Sequence, residues 1–406
     1  LLRRIGVVDQ SATGWFAGAV YSRMILRSLS AACEGTGIEL YYFSPPGSAV
    51  DAHALSAKSI SLSAVEYLPG ERRVRQLVGL PDKTRAARGE HRVRGLLHLV
   101  DKSDLFATAR QHQIDVLLPL LDVAPWAIPE KTIGWVPDFQ HVRLPEFFPG
   151  AELRRRNDTI NRLADKATRV MLSSRAAQDD FAAFAPRAAH KARVISFPSM
   201  LAFEPPAGEP DGARVKYNIP KKFVLVANQF WAHKNHAIVV RALARLQASG
   251  WEIPVVMTGL PADDRDPANQ NLSSLLQEIA SAGLHNQIMI LGLVPYSDLI
   301  NLMRTAALII QPSRFEGWST VVQDAKALGR PLLCSDIPVH REQAPAALGF
   351  FSADDPAALA ELLMSLWNDL QPGPNSDSEA GALAAERDFA RGHGEALLNI
   401  CREACS

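Results

Sequence analysis

Apolar residues along this chain gather in short unbroken runs rather than alternating stripes. In the first half the runs are RIGVVD from Arg4, ELYYFS from Glu39, DVLLPL from Asp115, TIGWVPD from Thr132 and RVMLSS from Arg169. Helix-spaced stretches, Val20 to Ala32 and Asp158 to Lys166 among them, lie between the runs. The second half repeats the rhythm with KFVLVAN from Lys222, IPVVMTG from Ile253, QIMILG from Gln287, ALIIQPS from Ala307 and RPLLCSD from Arg330. Continuous runs of this kind suit parallel strands covered by helices on both faces, with a crossover helix after each strand. The expected class is therefore α/β, with two Rossmann-like doubly wound parallel-sheet domains at 1–202 and 222–372. The Pro- and Gly-rich FPSMLAFEPPAGEPDGARVKYNIPKK carries no periodicity, which sets a linker at 203–221. The loose LQPGPNSDSEAG then precedes a helical pattern from Ala382 to Ala404, so 373–406 is expected to be helical and to pack back toward the first domain. Two such domains facing each other leave a cleft at the carboxyl ends of their strands, the default place for a ligand.

Composition narrows the function classes. At 406 residues the chain exceeds what one core usually supports. Lys plus Arg and Asp plus Glu balance at 43 each, which argues against a dedicated nucleic-acid binder. Local charge is less even: Arg72, Arg73, Arg75, Lys83, Arg85, Arg88, Arg92, Arg94 and Lys102 outnumber the acids between Glu71 and Lys102. That stretch suits either a solvated helical face or a surface for an anionic acceptor or membrane headgroups. Cys33, Cys334, Cys401 and Cys405 are too few for a disulfide scaffold, and the final C-x3-C has no partner pair for zinc. Free thiols in a reducing cytoplasm are expected. No apolar run approaches the length of a membrane span, and LLRRIGVVDQ reads as the approach to a strand rather than a signal peptide.

The chemistry concentrates in QPSRFEGWSTVVQDAKALGRP, Gln311 to Pro331. The strand ends at Pro312-Ser313, a loop carries Glu316, Gly317 and Trp318, and a helix is expected from Ser319 or Thr320 to just before Gly329. Val321, Ala325 and Leu328 have core-facing spacing, while Thr320 and Asp324 share a neighbouring face. Backbone N–H groups of Gly317, Trp318, Ser319 and Thr320, aided by the helix dipole, would receive a pyrophosphate. Like charge keeps Glu316 off that phosphate. It can instead accept hydrogen bonds from sugar hydroxyls, and Asp324 can do the same for a ribose.

FEGWSTVVQDA resembles the E-x7-E signature of retaining glycosyltransferases of the GT-B fold, glycosyltransferase family 4 or group 1. The resemblance implies that Glu316 contacts the transferred sugar and that Asp324, one methylene shorter than the family Glu, contacts the nucleotide ribose. In VLVANQFWAHKNH, Lys234 falls on the Lys of the family's GR-x4-K-G, with Asn228 and Gln229 at the Gly-Arg positions. Gln229 supplies no permanent charge, so Lys234 is the assured cation for the donor diphosphate. GWFAGAVY resembles the family's GG-x3-Y turn, with Gly18 on the second Gly and Ala17 in place of the first. GWVPDFQHVRLPEFFP resembles a family stretch at the cleft, so either Asp138 or His141 is expected to reach the reacting hydroxyl, the other serving as a loop anchor. LGLVPYSDL resembles the turn whose backbone, here Leu293 and Val294, holds the base. CSDIPVHREQA resembles the next loop, with Glu342 structural. The DDRD at Asp263 to Asp266 is assigned no metal role. The helix dipole and Lys234 would take over the metal's task, so neither metal nor cofactor is expected.

The function implied is a hexosyltransferase that moves a sugar from a nucleotide-diphosphate sugar, GDP-mannose or a UDP-hexose, to an acceptor hydroxyl with retention. The second domain would hold the donor and the first a carbohydrate or lipid-linked acceptor, in bacterial polysaccharide or glycolipid assembly. A cytoplasmic location, with peripheral contact on the inner membrane face, accompanies that expectation. A nucleotide-sugar epimerase or phosphorylase on the same fold, or a non-catalytic sugar-binding protein, are the alternatives.

Overall fold

In the computed structural model, which describes residues 2–10, 16–44, 55–61, 103–123, 131–263, 265–266 and 268–406, the chain forms two wholly parallel sheets. The first is built from β1 (Arg4–Val8), β2 (Glu39–Ser44), β3 (Ala57–Ser61), β4 (Val116–Leu120), β5 (Thr132–Val136), β6 (Arg169–Leu172) and β7 (Ala192–Val194). Its order is β3-β2-β1-β4-β5-β6-β7. The second contains β8 (Val224–Ala227), β9 (Val255–Thr258), β10 (Ile288–Gly292), β11 (Leu308–Gln311), β12 (Leu332–Ser335) and β13 (Gly349–Phe351), in the order β10-β9-β8-β11-β12-β13. Both orders reverse direction beside the first strand of the sheet, which is the doubly wound arrangement.

The ten apolar runs of the sequence all become strands, and the three strands without such a run are all sheet edges. β7 and β13 have three residues each, too few for any periodic signal. β3 reads AKSIS, the mixed pattern of an edge strand. Central strands β4, β8 and β9 are buried at every position, as coverage on both faces requires. The helix expected from Asp158 begins at Gly150 instead. Its first turns are polar, and Ile160, Leu163 and Ala164 are the positions it buries, so only its second half shows apolar spacing.

The chain passes between the domains twice. After β7 it runs through the turn Met200–Ala202 and the short helix Gly212–Lys216, whose Ala213 shares a core with Ile219 and Phe223 of the second domain. It returns along the long C-terminal helix Ser376–Cys405. Leu383 of that helix lies in a second-domain core, while Leu397, Leu398, Ile400, Cys401 and Ala404 fill the first-domain core. Gly394 allows the closest approach: a Cβ there would stand 2.3 Å from Ser28 O of the helix Phe16–Cys33. All four cysteines are unpaired. Among the described residues no helix is long and apolar enough to cross a membrane.

Candidate active site

Two loops at the carboxyl ends of adjacent strands β8 and β11 make the second-domain side of the cleft. After β8 a short turn, Ala232–Lys234, leads to Asn235 in the left-handed region (φ 57°), a conformation Asn tolerates well. Asn235 Nδ2 donates to Pro312 O (3.2 Å) and Ala353 O (2.8 Å), and Arg314 N donates to His233 O (2.8 Å). These bonds tie the loop after β8 to the loop after β11. The result brings Lys234 Nζ to 2.6 Å from Glu316 Oε1, with the side chains only 15% and 9% exposed. Gln311, the last residue of β11, is buried beneath the pair. Its Nε2 donates to Glu316 Oε1 (2.8 Å), while its Oε1 accepts from Asn228 Nδ2 (2.9 Å). Burial alone would raise the Glu316 carboxyl. The Lys234 ammonium, with His340 and the Ser313 hydroxyl, nevertheless holds it below the ordinary carboxylate value. Glu316 is thus a charged acceptor in a dry site.

The first domain meets this loop at the end of β5. A Cβ on Gly317 would lie 2.2 Å from Pro137 O and 3.0 Å from Asp138 Cβ, so glycine is what lets the two domains touch here. Asp138 is half-buried, accepts from Gln140 N (3.0 Å) and faces Arg156 Nη1 at 3.9 Å. His141 does not reach the cleft. It is buried among the rings of Phe139, Phe148 and Phe184, with Nε2 3.1 Å from Asn157 Oδ1, and burial lowers its pKa. The aromatic residues around it draw this histidine into the domain core, contrary to its expected place at the reacting hydroxyl, whereas Asp138 stands against Gly317 of the other domain.

The helix after the loop spans Thr320–Ala327 with Ser319 as N-cap, its Oγ accepting from Val322 N. Here several expected donor contacts change. The Ser319 N–H donates to Gln343 Oε1 (3.0 Å), and Gln343 Nε2 donates to Ser319 O (2.7 Å), so that N–H is already taken. Trp318 Nε1 donates to Phe197 O (3.1 Å), and its ring packs against the first-domain core, making it an interdomain anchor. Thr320 is exposed whereas Asp324 is buried, so the two do not present one face to solvent. Asp324 Oδ1 accepts from Ser199 Oγ (2.5 Å) and Oδ2 from Tyr296 OH (3.4 Å). Burial, reinforced by the nearby Glu386 carboxylate, pushes Asp324 up to about 7.

The remaining candidates border this centre. Gly292, at φ 67°, turns the chain out of β10, leaving Leu293 72% exposed and Val294 half-buried. Gln229 is half-buried beside the Lys234 loop, and its Oε1 is buried without a partner. Asn228 spends its amide on Gln311 and faces inward. Gly18 sits in the first turn of the helix Phe16–Cys33, its carbonyl accepting from Ser22 Oγ, and is not in a turn of its own. The residues just before that helix, 11–15, lie outside the described residues, as does the basic stretch between Glu71 and Lys102. Glu342 accepts from Arg175 N through both oxygens (3.0 Å each), capping a first-domain helix from the second domain. Asp263 pairs with Arg265 within the DDRD stretch. Among the described residues no group of three or more His, Cys, Asp or Glu could hold a metal.

Sequence reasoning overlooked Gln311, Ser199 and Glu386. A polar residue closing the apolar run ALIIQ was a usable signal for Gln311. Ser199 and Glu386 carry none, because their partners are far away in the chain.

Residues 212–379 match the model of the family described as glycosyl transferases group 1. A D-inositol 3-phosphate glycosyltransferase 1 of Catenulispora acidiphila is 27% identical over 208 residues, which are 48% of this chain and 48% of that protein, so the similarity spans about half the length of the relative. A glycosyltransferase from Rickettsia africae superposes with a TM-score of 0.63 at 16% identity, covering 99% of this chain and 98% of the other. Anabaena HepE in complex with UDP and glucose gives 0.62 at 16%, with 98% and 97% covered. Sucrose-phosphate synthase from Thermosynechococcus elongatus gives 0.65 at 15%, with 98% and 94% covered. The chain therefore has the GT-B fold of two facing Rossmann-like domains, and its second domain carries the glycosyl transferases group 1 match.

Proposed function

We propose that the protein is a retaining, metal-independent hexosyltransferase that takes a sugar from a nucleotide-diphosphate donor. The single observation that carries this reading is the largely buried Lys234–Glu316 pair, set at the approach to the Thr320–Ala327 helix and next to Gly317, which meets Pro137 and Asp138 of the other domain. A cation, a helix start and an ionised acceptor within one dry cleft suit a diphosphate and a neutral polyol together. Lys234 would leave Glu316 to balance the diphosphate, and Glu316 would turn its freed oxygen to the sugar hydroxyls. Gln311 would hold Glu316 in place meanwhile. The departing phosphate takes the acceptor's proton in a same-face attack, with Asp138 orienting the acceptor hydroxyl. Exclusion of water by the closed cleft protects the donor from hydrolysis.

The complex of HepE with UDP and glucose supports a nucleotide-sugar donor, and UDP-hexoses and GDP-mannose are both candidates for this chain. In this reading the acceptor is a carbohydrate or lipid-linked sugar of bacterial polysaccharide or glycolipid assembly. The charge of the Arg72 to Arg94 stretch would then attract an anionic membrane surface. Incubation with UDP-glucose, UDP-galactose or GDP-mannose and a panel of glycoside acceptors, with anomeric analysis of the product, tests the proposal. An α-linked product from an α-linked donor is expected. Conversion of the donor without any acceptor would point to an epimerase, and inversion would remove the retaining mechanism.

A further inference from the structure

Both passages of the chain between the domains are fastened to the Thr320–Ala327 helix, and they meet at Ser199. This residue lies on the first passage and is buried. Its N–H donates to Glu386 Oε1 of the returning C-terminal helix at 2.6 Å, and its hydroxyl donates to Asp324 Oδ1 at 2.5 Å. The same hydroxyl accepts from Leu201 N at 3.0 Å, which opens the Met200–Ala202 turn. Gln323, next to Asp324, completes the junction by donating Nε2 to both oxygens of Glu386 (2.9 and 2.8 Å). Asp324 has its second oxygen against Tyr296 OH. One serine thus joins the first passage, the returning helix and the buried acid Asp324.

The consequence rests on the donor reading proposed above, in which Asp324 receives the ribose. Asp324 is buried with the Ser199 and Tyr296 hydroxyls set against its two oxygens, so a ribose hydroxyl approaching the carboxyl meets the hydroxyls that now shield it. We propose that Ser199 is a positioning residue of the donor site: its hydroxyl competes with the nucleotide ribose for Asp324, so donor occupancy releases the first interdomain passage from Asp324 while the Ser199 N–H keeps its bond to Glu386. Coupling of this kind is reciprocal. If binding the nucleotide breaks the Ser199–Asp324 bond, breaking that bond by substitution strengthens nucleotide binding by the same factor.

Calorimetric titration of the full chain with UDP and GDP tests this. Ser199→Ala is expected to bind whichever probe the wild type binds about five- to tenfold more tightly, the scale of one hydrogen bond to a charged group, while its melting temperature falls. Tyr296→Phe, at a residue 45% exposed and tolerant of change, should tighten binding by about twofold. Ser199→Cys, which keeps the side chain's shape and weakens its bond to Asp324, decides the matter where Ser199→Ala does not fold, and unchanged or weaker binding in it overturns the inference. In an Asp324→Asn background the effect of Ser199→Ala on affinity should vanish. A purely structural Ser199 lowers the melting temperature with affinity unchanged or weakened, which overturns the inference alone. A wild type that binds neither probe overturns the donor reading and this inference together.

Discussion

Glu316 and Asp324 belong to one motif and are both shut away from water, yet their carboxyls move in opposite directions. Burial raises both. Glu316 has an ammonium at 2.6 Å and stays below the ordinary carboxylate value. Asp324 has two neutral hydroxyls and a second acid, Glu386, and rises to about 7. Burial sets the size of the penalty, and the neighbouring charge decides its sign. The first acid is therefore held as an anion. The second titrates near neutrality and belongs as much to the interdomain junction as to any ligand.

Breaking the pair that keeps Glu316 charged should have the largest effect. Lys234→Ala and Glu316→Ala are each expected to lower turnover by about 100- to 1000-fold, measured as initial rates with the preferred donor. Glu316→Gln, which leaves a buried ammonium uncompensated, should also lose about 3–5 kcal/mol in chemical denaturation. Full activity in both alanine variants would strip the contrast of its functional meaning.

Asp324 offers the converse test through pH. Its folded pKa lies above its ordinary value of 3.8, so between there and about 7 the folded state holds a proton that the unfolded chain has lost. Wild-type stability should therefore fall as pH rises through this window, at up to about 1.36 kcal/mol per unit for one proton. Asp324→Asn should flatten that slope, and an unchanged slope in denaturation curves would show that Asp324 is not the group responsible.

Smaller effects are expected one step from each acid. Gln311→Ala removes the amide under Glu316 and should cost about tenfold in turnover with intact secondary structure. His141→Asn should leave turnover within about threefold while lowering stability by about 1–3 kcal/mol, because the ring fills an aromatic core rather than touching substrate. A turnover loss comparable to that of Lys234→Ala would return His141 to the active site.

The architecture was legible because continuous apolar runs mark strands buried on both faces, and three of the four edge strands, β3, β7 and β13, escaped because they are short or mixed. The places of Lys234 and Glu316 in the fold were legible because each stands on a loop after a strand, at the end of the sheet that topology fixes. The local sequence is much less informative for residues whose partners come from elsewhere in the chain. The indole of Trp318 has no assigned place until Phe197 O is seen to accept from its Nε1. Ser319 reads as a free N–H until Gln343 is found bracketing it. Asp324 reads as sharing a face with Thr320 until the passage carrying Ser199 is seen to cover it. The Phe197 and Ser199 contacts come from across the domain boundary, and the Gln343 contact joins two segments of the second domain.

Titration of UDP-glucose and GDP-mannose into the wild type and Lys234→Ala tests the centre of this picture most directly. At least one of the two should bind the wild type and lose at least about tenfold in affinity when the ammonium is removed. Equal affinity for wild type and variant would mean that the Lys234–Glu316 pair does not receive the donor's phosphates.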